Sequence, residues 1–423
     1  ETEISKINMI VKGEITMKKA YQKEYEPAFT PLTVIHEASR CLLCYDAPCS
    51  KACPAGTHPA KFIRSVRFRN FKGAAETIRK NNALGSICAR VCPTEKLCQK
   101  GCSRSGIDRP IEIGKIQRYV TDFEDAIGME VLPKGEKNKG KVAIIGSGPA
   151  GLQAAATLTE LGYDVTIFEK EEKFGGWLRY GIPEYRLPNE VVDKEIARIE
   201  KMGVTFVNNK EITDLEVLKK DYKAILLAVG ASYGKMLPLF KDNEKVSLAV
   251  DVLANIKEHN GEVEVPNNVL IIGGGDVAMD VATSLKLLGA KTVTVVAREQ
   301  VFEFPASKKE YKDAHDNDVS IIDGYTPIEV NGNEVTFKHV ELDATLKIKA
   351  DKIIVAIGQM SKLEVFDTIT SNRGIVDTNK YQTNDKQVFA AGDIIKGDKI
   401  VVAAVKYGKE AAYAIDEYLG GKR

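Results

Sequence analysis

The sequence predicts an α/β fold in which two open parallel-sheet units, one inserted in the other, follow an α-helical segment. Three observations predict it. A strand-like apolar run leads into a glycine cluster twice, at Gly146 and at Gly273, and a strand, glycine turn and helix in succession open a βαβ unit. A further strand-like run at residues 352–358 follows the second cluster and returns the chain to the first unit, which makes the second an insertion. All eight cysteines lie between Cys41 and Cys102, in a stretch that otherwise reads as helical.

Length and composition set the outer limits. The 423 residues allow two or three domains, each burying its own core without disulfides. The 60 basic and 59 acidic side chains leave a net charge near +1 with no block of like charge standing out, so nothing electrostatic points to nucleic acid or a membrane. There is no N-terminal apolar segment of the secretory kind. The longest apolar stretches, such as residues 223–231, fall far short of the roughly 20 residues a membrane-spanning helix needs. The reading is a soluble, cytoplasmic protein. The chain opens with Glu1, and residues before Tyr21 read as a tail in which Met17 is a candidate start.

In chain order, the helical reading of residues 21–125 comes from apolar residues at helical spacing over 60–80 and 113–126, with the cysteine loops between such helices. Cys41-x2-Cys44-x4-Cys49-x3-Cys53-Pro is a ferredoxin-like run with a longer middle gap. In such runs the fourth cysteine commonly ligates the other of two clusters. Cys88-x3-Cys92-Pro-x4-Cys98-x3-Cys102 provides the remaining thiols. An even number of cysteines in a secreted protein would read as disulfides, but this chain reads as a reducing-compartment enzyme. A polar stretch rich in Lys and Gly at residues 133–141 then closes the segment, taken as residues 1–140.

Residues 141–145 form the next strand, followed by Gly146-Ser-Gly148-Pro-Ala-Gly151, a helix over 152–161 and a strand ending in Glu169. This is the dinucleotide fingerprint of a Rossmann-like unit. Its glycines permit a tight turn and let backbone approach a pyrophosphate at a helix N-terminus, and the acidic residue is placed to hold ribose hydroxyls. The strand over 268–272 and Gly273-Gly-Gly275-Asp276-Val-Ala278 repeat the device, and the following strand, 292–297, ends in Arg298-Glu299. Arg298 suits a 2′-phosphate and Glu299 a free ribose diol, so the pair alone does not choose between the nicotinamide cofactors.

Two such units in one chain suggest a flavin in one and a nicotinamide in the other, since hydride transfer needs the two rings at contact distance. Ala391-Gly392-Asp393 supports FAD in the first unit. Its carboxylate is expected on the ribityl chain, or acting through ordered backbone and water, because it cannot favour an anionic pyrophosphate directly. The domains are then 1–140, an α-helical iron-sulfur domain; 141–239 with 358–423, for FAD; and 240–357, for NAD(P)H. Zinc competes for the cysteines, since Cys-x2-Cys also opens structural zinc sites. A flavin and nicotinamide pair, however, gives iron-sulfur clusters a purpose that redox-inert zinc lacks. Simple counting assigns four cysteines to each of two [4Fe-4S] clusters, and spacing alone does not say which.

Ala38-Ser-Arg-Cys-Leu-Leu-Cys44, Ala89-Arg-Val-Cys-Pro-Thr-Glu-Lys-Leu-Cys98, Gly175-Gly-Trp177 and Gly273-Gly-Gly-Asp-Val-Ala-Met-Asp280 resemble the flavin-containing electron-input subunits of bacterial NAD-dependent dihydropyrimidine dehydrogenases, from about Pro27 to the C-terminus. The wider family includes the small subunit of glutamate synthase and the N-terminal half of single-chain dihydropyrimidine dehydrogenases. The resemblance implies one cluster held by Cys41, Cys44, Cys49 and Cys102. It implies a second held by Cys53, Cys92 and Cys98 with Gln117 as a non-cysteine fourth ligand, which leaves Cys88 a spare buried thiol against the simple count. It also implies flavin contacts by Trp177 and Arg186 and nicotinamide contacts near Asp276 and Arg298. NADPH-using relatives have a second basic residue where this chain has Glu299, which favours NADH over NADPH.

The expected reaction is hydride transfer from NADH to FAD, then one-electron steps through both clusters to a partner subunit whose FMN reduces the 5,6 double bond of uracil or thymine. No cysteine follows Cys102, which excludes a disulfide reductase, and no sequence remains for a third, barrel-like domain. The rivals are an electron donor of the glutamate synthase small-subunit kind serving another partner, and a non-catalytic cluster-binding protein.

Overall fold

The structure is a computed structural model and describes residues 19–421. The tail expected before Tyr21, with Met17, lies outside these residues apart from 19 and 20. The chain divides into two compact units. The larger comprises Glu26–Leu178, Asn189–Ala231 and the segment from Ser361 onward, and the smaller Arg179–Pro188 and Ser232–Met360 with the described residues up to Tyr25.

The larger unit begins with helices α1 (Pro31–Ser39), α2 (Pro59–Arg67), α3 (Phe71–Arg79), α4 (Gly85–Val91) and α5 (Ile113–Ala126), gathered around Phe62, Ile63, Val66, Ile78, Ile116 and Val120. The helical stretch expected over 60–80 is two helices. Arg69 adopts a left-handed φ of +59°, which no helix interior tolerates. Asn70 then caps α3 by accepting from the Gly73 N–H at 2.9 Å, the role its short amide favours.

The first sheet follows: β1 (Gly140–Ile145), α6 (Pro149–Glu160), β2 (Tyr163–Phe168), α7 (Asn189–Lys201), β3 (Thr205–Val207) and β4 (Ala224–Leu227). Val142, Ala143 and Ile144 are fully buried, as in a parallel strand covered on both faces. The chain then builds β5 (Val246–Leu248), α8 (Ala249–Glu258), β6 (Asn268–Ile272), α9 (Asp276–Leu287), β7 (Thr292–Val296), α10 (Lys308–Asp316) and β8 (Ser320–Ile322). The strands β9 (Tyr325–Asn331), β10 (Glu334–His339) and β11 (Thr345–Lys349) follow, and then β12 (Lys352–Val355). It returns through β13 (Val388–Ala390) to the long helix α11 (Val401–Tyr418).

The strand orders establish the insertion. The first sheet runs β13-β4-β1-β2-β3 and the second β5-β12-β6-β7-β8, both wholly parallel, while β9-β10-β11 is a separate antiparallel sheet. The fold is therefore α/β with two Rossmann-like units, the second inserted in the first, behind a helical N-terminal segment. The polar stretch at 133–141 does not part compact units, because Glu26–Leu178 runs through it. The Asn138 and Lys139 N–H groups both donate to the Gly162 carbonyl, at 3.0 and 3.1 Å, and this ties the stretch to the turn before β2.

A buried ion network joins the helical segment to the first sheet. Arg79 on α3 donates to Glu124 on α5 at 2.7–3.1 Å and to both Glu195 oxygens on α7 at 2.7 Å. All three side chains have no exposed surface. Burial and the neighbouring Glu124 raise the Glu195 carboxyl above its usual range, opposed by Arg79. Between the same parts, Gln153 on α6 accepts from the Ala83 N–H at 2.8 Å. No helix among the described residues is long and apolar enough to cross a membrane.

Candidate functional site

The first glycine loop leaves β1 at Gly146, whose φ is +103° and where a Cβ would stand 2.4 Å from the Ala228 carbonyl oxygen. A Cβ on Gly151 would stand 2.1 Å from the Gly146 carbonyl oxygen. Both positions admit glycine alone. Gly148 differs: nothing lies within 4 Å of its added Cβ, and it caps α6 without any side-chain hydrogen bond. The N–H groups of the first turn of α6 thus open onto space beside a residue with no side chain, a cradle that fits a pyrophosphate.

Glu169 is buried at the end of β2, and one of its oxygens accepts from the Ser147 N–H at 3.0 Å and the Ser147 hydroxyl at 2.6 Å. Ser147 Oγ accepts in turn from the Gly175 N–H at 3.0 Å, and a Cβ on Gly176 would lie 3.1 Å from Gly148 Cα. Glu169, the glycine loop and the strand-end loop carrying half-buried Trp177 therefore form one cluster. From the other side Gly392, at φ +81°, lies against Ala150. Burial raises the adjoining Asp393 carboxyl above its usual range, offset by Lys399.

The second glycine loop repeats these sterics in the smaller unit. Gly273 has φ +132° and its Cβ would stand 2.3 Å from the Ala356 carbonyl oxygen, while Gly275 meets only Pro305 Cγ at 3.9 Å. Gly275 caps α9 with no side-chain bond. Asp276 accepts from the Ser307 N–H at 2.6 Å. Arg298 and Glu299 are exposed just past β7.

Arg186 belongs to this smaller unit, where its guanidinium grips both oxygens of Asp280 at 2.6–2.7 Å and also pairs with Glu310. Burial, opposed by Arg186, pushes the Asp280 carboxyl up to about 7. The flavin contact expected of Arg186 thus falls on a residue whose described partners are two carboxylates of the unit that carries the second glycine loop.

The eight thiols are all free. Burial raises the Cys41 thiol, with Cys102 and Cys44 adding to the shift, and pushes Cys49 up to about 11, with Cys102 and Cys41 adding. Cys98 is pushed up to about 12 by burial and by Cys53 and Cys49. Cys92 is raised by its hydrogen bond with Cys88, by burial and by Cys98 and Cys53. Cys102 thus acts on both Cys41 and Cys49, and Cys53 on both Cys92 and Cys98, while Cys49 also acts on Cys98.

Gln117, buried on α5, donates its amide N–H to the Gly85 carbonyl at 2.7 Å, which puts it beside the helix that carries Cys88 and leads to Cys92. Among the described residues no three His, Cys, Asp or Glu side chains converge on a single-ion site.

Sequence reasoning missed the supports of these thiols. Glu37, buried on α1, accepts from Arg40 at 2.6 Å, Arg109 at 3.0 Å and the Glu112 N–H at 3.0 Å, and Arg104 donates to the Arg40 carbonyl at 3.1 Å. This frame holds the chain as it enters Cys41. Between Arg40 and Arg109 basic residues far outnumber acidic ones, a local bias that the near-neutral total hides and that suits bound anionic clusters.

Two family models match the chain: the pyridine nucleotide-disulphide oxidoreductase family over residues 140–408, and dihydropyrimidine dehydrogenase domain II, 4Fe-4S cluster, over residues 17–129. The chain is 62% identical over 404 residues to the NAD-dependent dihydropyrimidine dehydrogenase subunit PreT of Escherichia coli O157:H7, covering 95% of this chain and 98% of that one. It is 32% identical to the glutamate synthase [NADPH] small chain of Escherichia coli strain K12, covering 93% of each. Among solved structures, Lactococcus lactis thioredoxin reductase matches 66% of this chain and 99% of its own with a TM-score of 0.54 at 22% identity, a likeness of fold. The chain is an oxidoreductase of the pyridine nucleotide-disulphide oxidoreductase family, and within it belongs with the subunits of NAD-dependent dihydropyrimidine dehydrogenase.

Proposed function

We propose that this chain takes a hydride from NADH onto FAD and passes the electrons singly, through two [4Fe-4S] clusters, to an FMN-containing partner subunit that reduces uracil or thymine to the 5,6-dihydropyrimidine. The observation that carries the reading is the pairing of two open glycine cradles with two runs of cysteines, in a chain with no cysteine after Cys102. Without a redox-active cysteine pair on the flavin unit, the disulfide chemistry in the family's name has no place here, and the thiols upstream are the electrons' route.

On this reading residues 1–140 hold the clusters, 141–239 with 358–423 hold FAD, and 240–357 hold the nicotinamide. When bound, the nicotinamide supplies a hydride, and the flavin and clusters turn that two-electron donor into single electrons. Gly146, Gly148 and Gly151 bring α6 to the FAD pyrophosphate. Glu169, already turned toward the loop by Ser147, holds the ribose, while Trp177, Gly392 and Asp393 border the flavin. Gly273, Gly275, Asp276 and Arg298 receive the nicotinamide dinucleotide, and Glu299 favours a free 2′-hydroxyl. Arg186, held by Asp280 and Glu310, is the flavin contact that the resemblance implies.

Cys41, Cys44, Cys49 and Cys102 hold one cluster, and Cys53, Cys92 and Cys98 with Gln117 the other, with Cys88 as a hydrogen-bonding neighbour of Cys92. The alternative, donation to a glutamate synthase-like partner, is disfavoured by 32% identity to that small chain against 62% to the dihydropyrimidine dehydrogenase subunit. Co-purification with the partner followed by a substrate screen tests the choice. NADH-dependent uracil reduction supports the proposal, and uracil-independent glutamate formation overturns it.

A further inference from the structure

Lys409 lies midway along α11, the helix that brings the chain back to the first glycine loop. Its neighbour Gly408 packs so closely on that loop that a Cβ would stand 2.1 Å from the Ala150 carbonyl oxygen. From this position the Lys409 ammonium reaches into the cysteine-bearing helical segment. It donates to the Ala55 carbonyl at 2.6 Å and to the Asn81 carbonyl at 2.9 Å. Ala55 is buried and stands two residues beyond Cys53, whose sulfur lies 3.2 Å from the hydroxyl of buried Thr57. Burial lowers the Lys409 ammonium from its usual range, opposed by the neighbouring Cys53 and Glu410.

We infer that Lys409 is a positioning residue that fixes the Cys53 turn against the flavin-loop helix and raises the reduction potential of the cluster to which Cys53 contributes a thiolate. The inference rests on the reading of Cys53 as a cluster ligand. When that cluster is reduced it gains one electron and no proton, so its net charge falls by one. A fixed positive charge a short distance away in a half-buried site stabilises the reduced form more than the oxidised one. Two backbone carbonyls hold the charge in place, which a mobile surface lysine would not achieve, and second-neighbour groups of this kind set a metal site's properties. The same helix touches the first glycine loop through Gly408 and the cysteine turn through Lys409, so one rigid element ties the two together.

The test is an EPR-monitored redox titration of the flavin- and cluster-loaded protein for the wild type, Lys409→Gln and Lys409→Arg, alongside anaerobic stopped-flow mixing with NADH. Lys409→Gln keeps a hydrogen-bond donor and removes the charge. It is expected to shift one cluster's reduction equilibrium about tenfold toward the oxidised form, or about 59 mV. The other cluster should stay unchanged, and the rate of flavin bleaching should remain within twofold of wild type. Lys409→Arg is expected to keep the wild-type potential. Unchanged potentials in Lys409→Gln, or the same shift in Lys409→Arg, would overturn the inference. Should Lys409→Gln lose iron, Lys409→Met and Lys409→Arg decide by the same criterion: loss in both overturns the role of charge, and loss in Lys409→Met alone supports it. A wild-type protein with no signal from a Cys53-dependent cluster would instead refute the ligand assignment underneath.

Discussion

Replacing Arg79 by leucine is the most discriminating perturbation of the scaffold. The side chain has no exposed surface and answers two carboxylates that have none either. Its loss leaves Glu124 and Glu195 facing each other, with Arg198 at 3.3 Å from Glu124 and 3.9 Å from Glu195 as the remaining cation. Removing one partner of a buried pair costs about 3–5 kcal/mol, most of it the uncompensated charge. At roughly 2–4 °C per kcal/mol, the apparent melting temperature of the unit falls by about 10 °C.

The comparison is Lys72→Ala, which breaks the exposed Lys72–Glu76 pair at 3.9 Å and is expected to cost about 0–1 kcal/mol. Thermal melts followed by circular dichroism would measure both. Because Arg79 joins α3 to α7, Arg79→Leu should also slow cluster reduction after flavin reduction, while Arg79→Leu with Glu124→Leu and Glu195→Leu regains much of the stability. Equal, small losses for Arg79→Leu and Lys72→Ala would refute the reasoning, since they would mean that the burial of this triad does not set its energetics.

Other expectations follow from the same geometry. Gly148→Ala should fold with wild-type stability, because its Cβ meets nothing and its φ of −71° suits any residue, yet it should retain at least tenfold less flavin by absorbance. Gly151→Ala, forced onto the Gly146 carbonyl, should lose both flavin and stability. Cys88→Ala should keep both cluster EPR signals and the wild-type iron content, whereas Cys92→Ala should lose one signal.

Lys257 is buried, donates to the Ile182 carbonyl at 2.6 Å and to the Leu187 carbonyl, and lies 3.2 Å from Glu184. Burial pushes its ammonium down to about 8 from 10.5. Between those values the unfolded chain carries a proton the folded one lacks. The smaller unit should therefore gain stability as pH rises from about 8 to 10.5, by up to about 3 kcal/mol, and Lys257→Met should abolish that slope in urea melts.

Much of this was legible in the sequence because its causes are local. The glycines at 146, 151 and 273 are demanded by backbone carbonyls only a turn or a neighbouring strand away, so motif and sterics coincide. The return strand and the insertion followed from the order of apolar runs. What stayed hidden depends on residues far apart along the chain. Arg186 meets Asp280 94 residues later, and Lys409 meets Asn81 across 328 residues, and no periodicity links such pairs. The break at Arg69–Asn70 was missed because apolar spacing continues through it, while the chain-reversing residue and cap are polar. The thiol grouping was only half legible. Spacing showed two runs of cysteines, but that Cys102 of the second run acts on Cys41 and Cys49 of the first, and Cys53 and Cys49 of the first on Cys98 of the second, comes from tertiary packing.

The central claim is that electrons enter as a hydride at the flavin and leave through the thiol-bound clusters. Anaerobic mixing of the purified protein with NADH or NADPH, with flavin and cluster absorbance followed together, tests it most directly. The account predicts rapid flavin bleaching with NADH, slower bleaching with NADPH because of Glu299, and cluster reduction after the flavin in both cases. Cluster reduction without prior flavin bleaching, or no bleaching with either nucleotide, would contradict it.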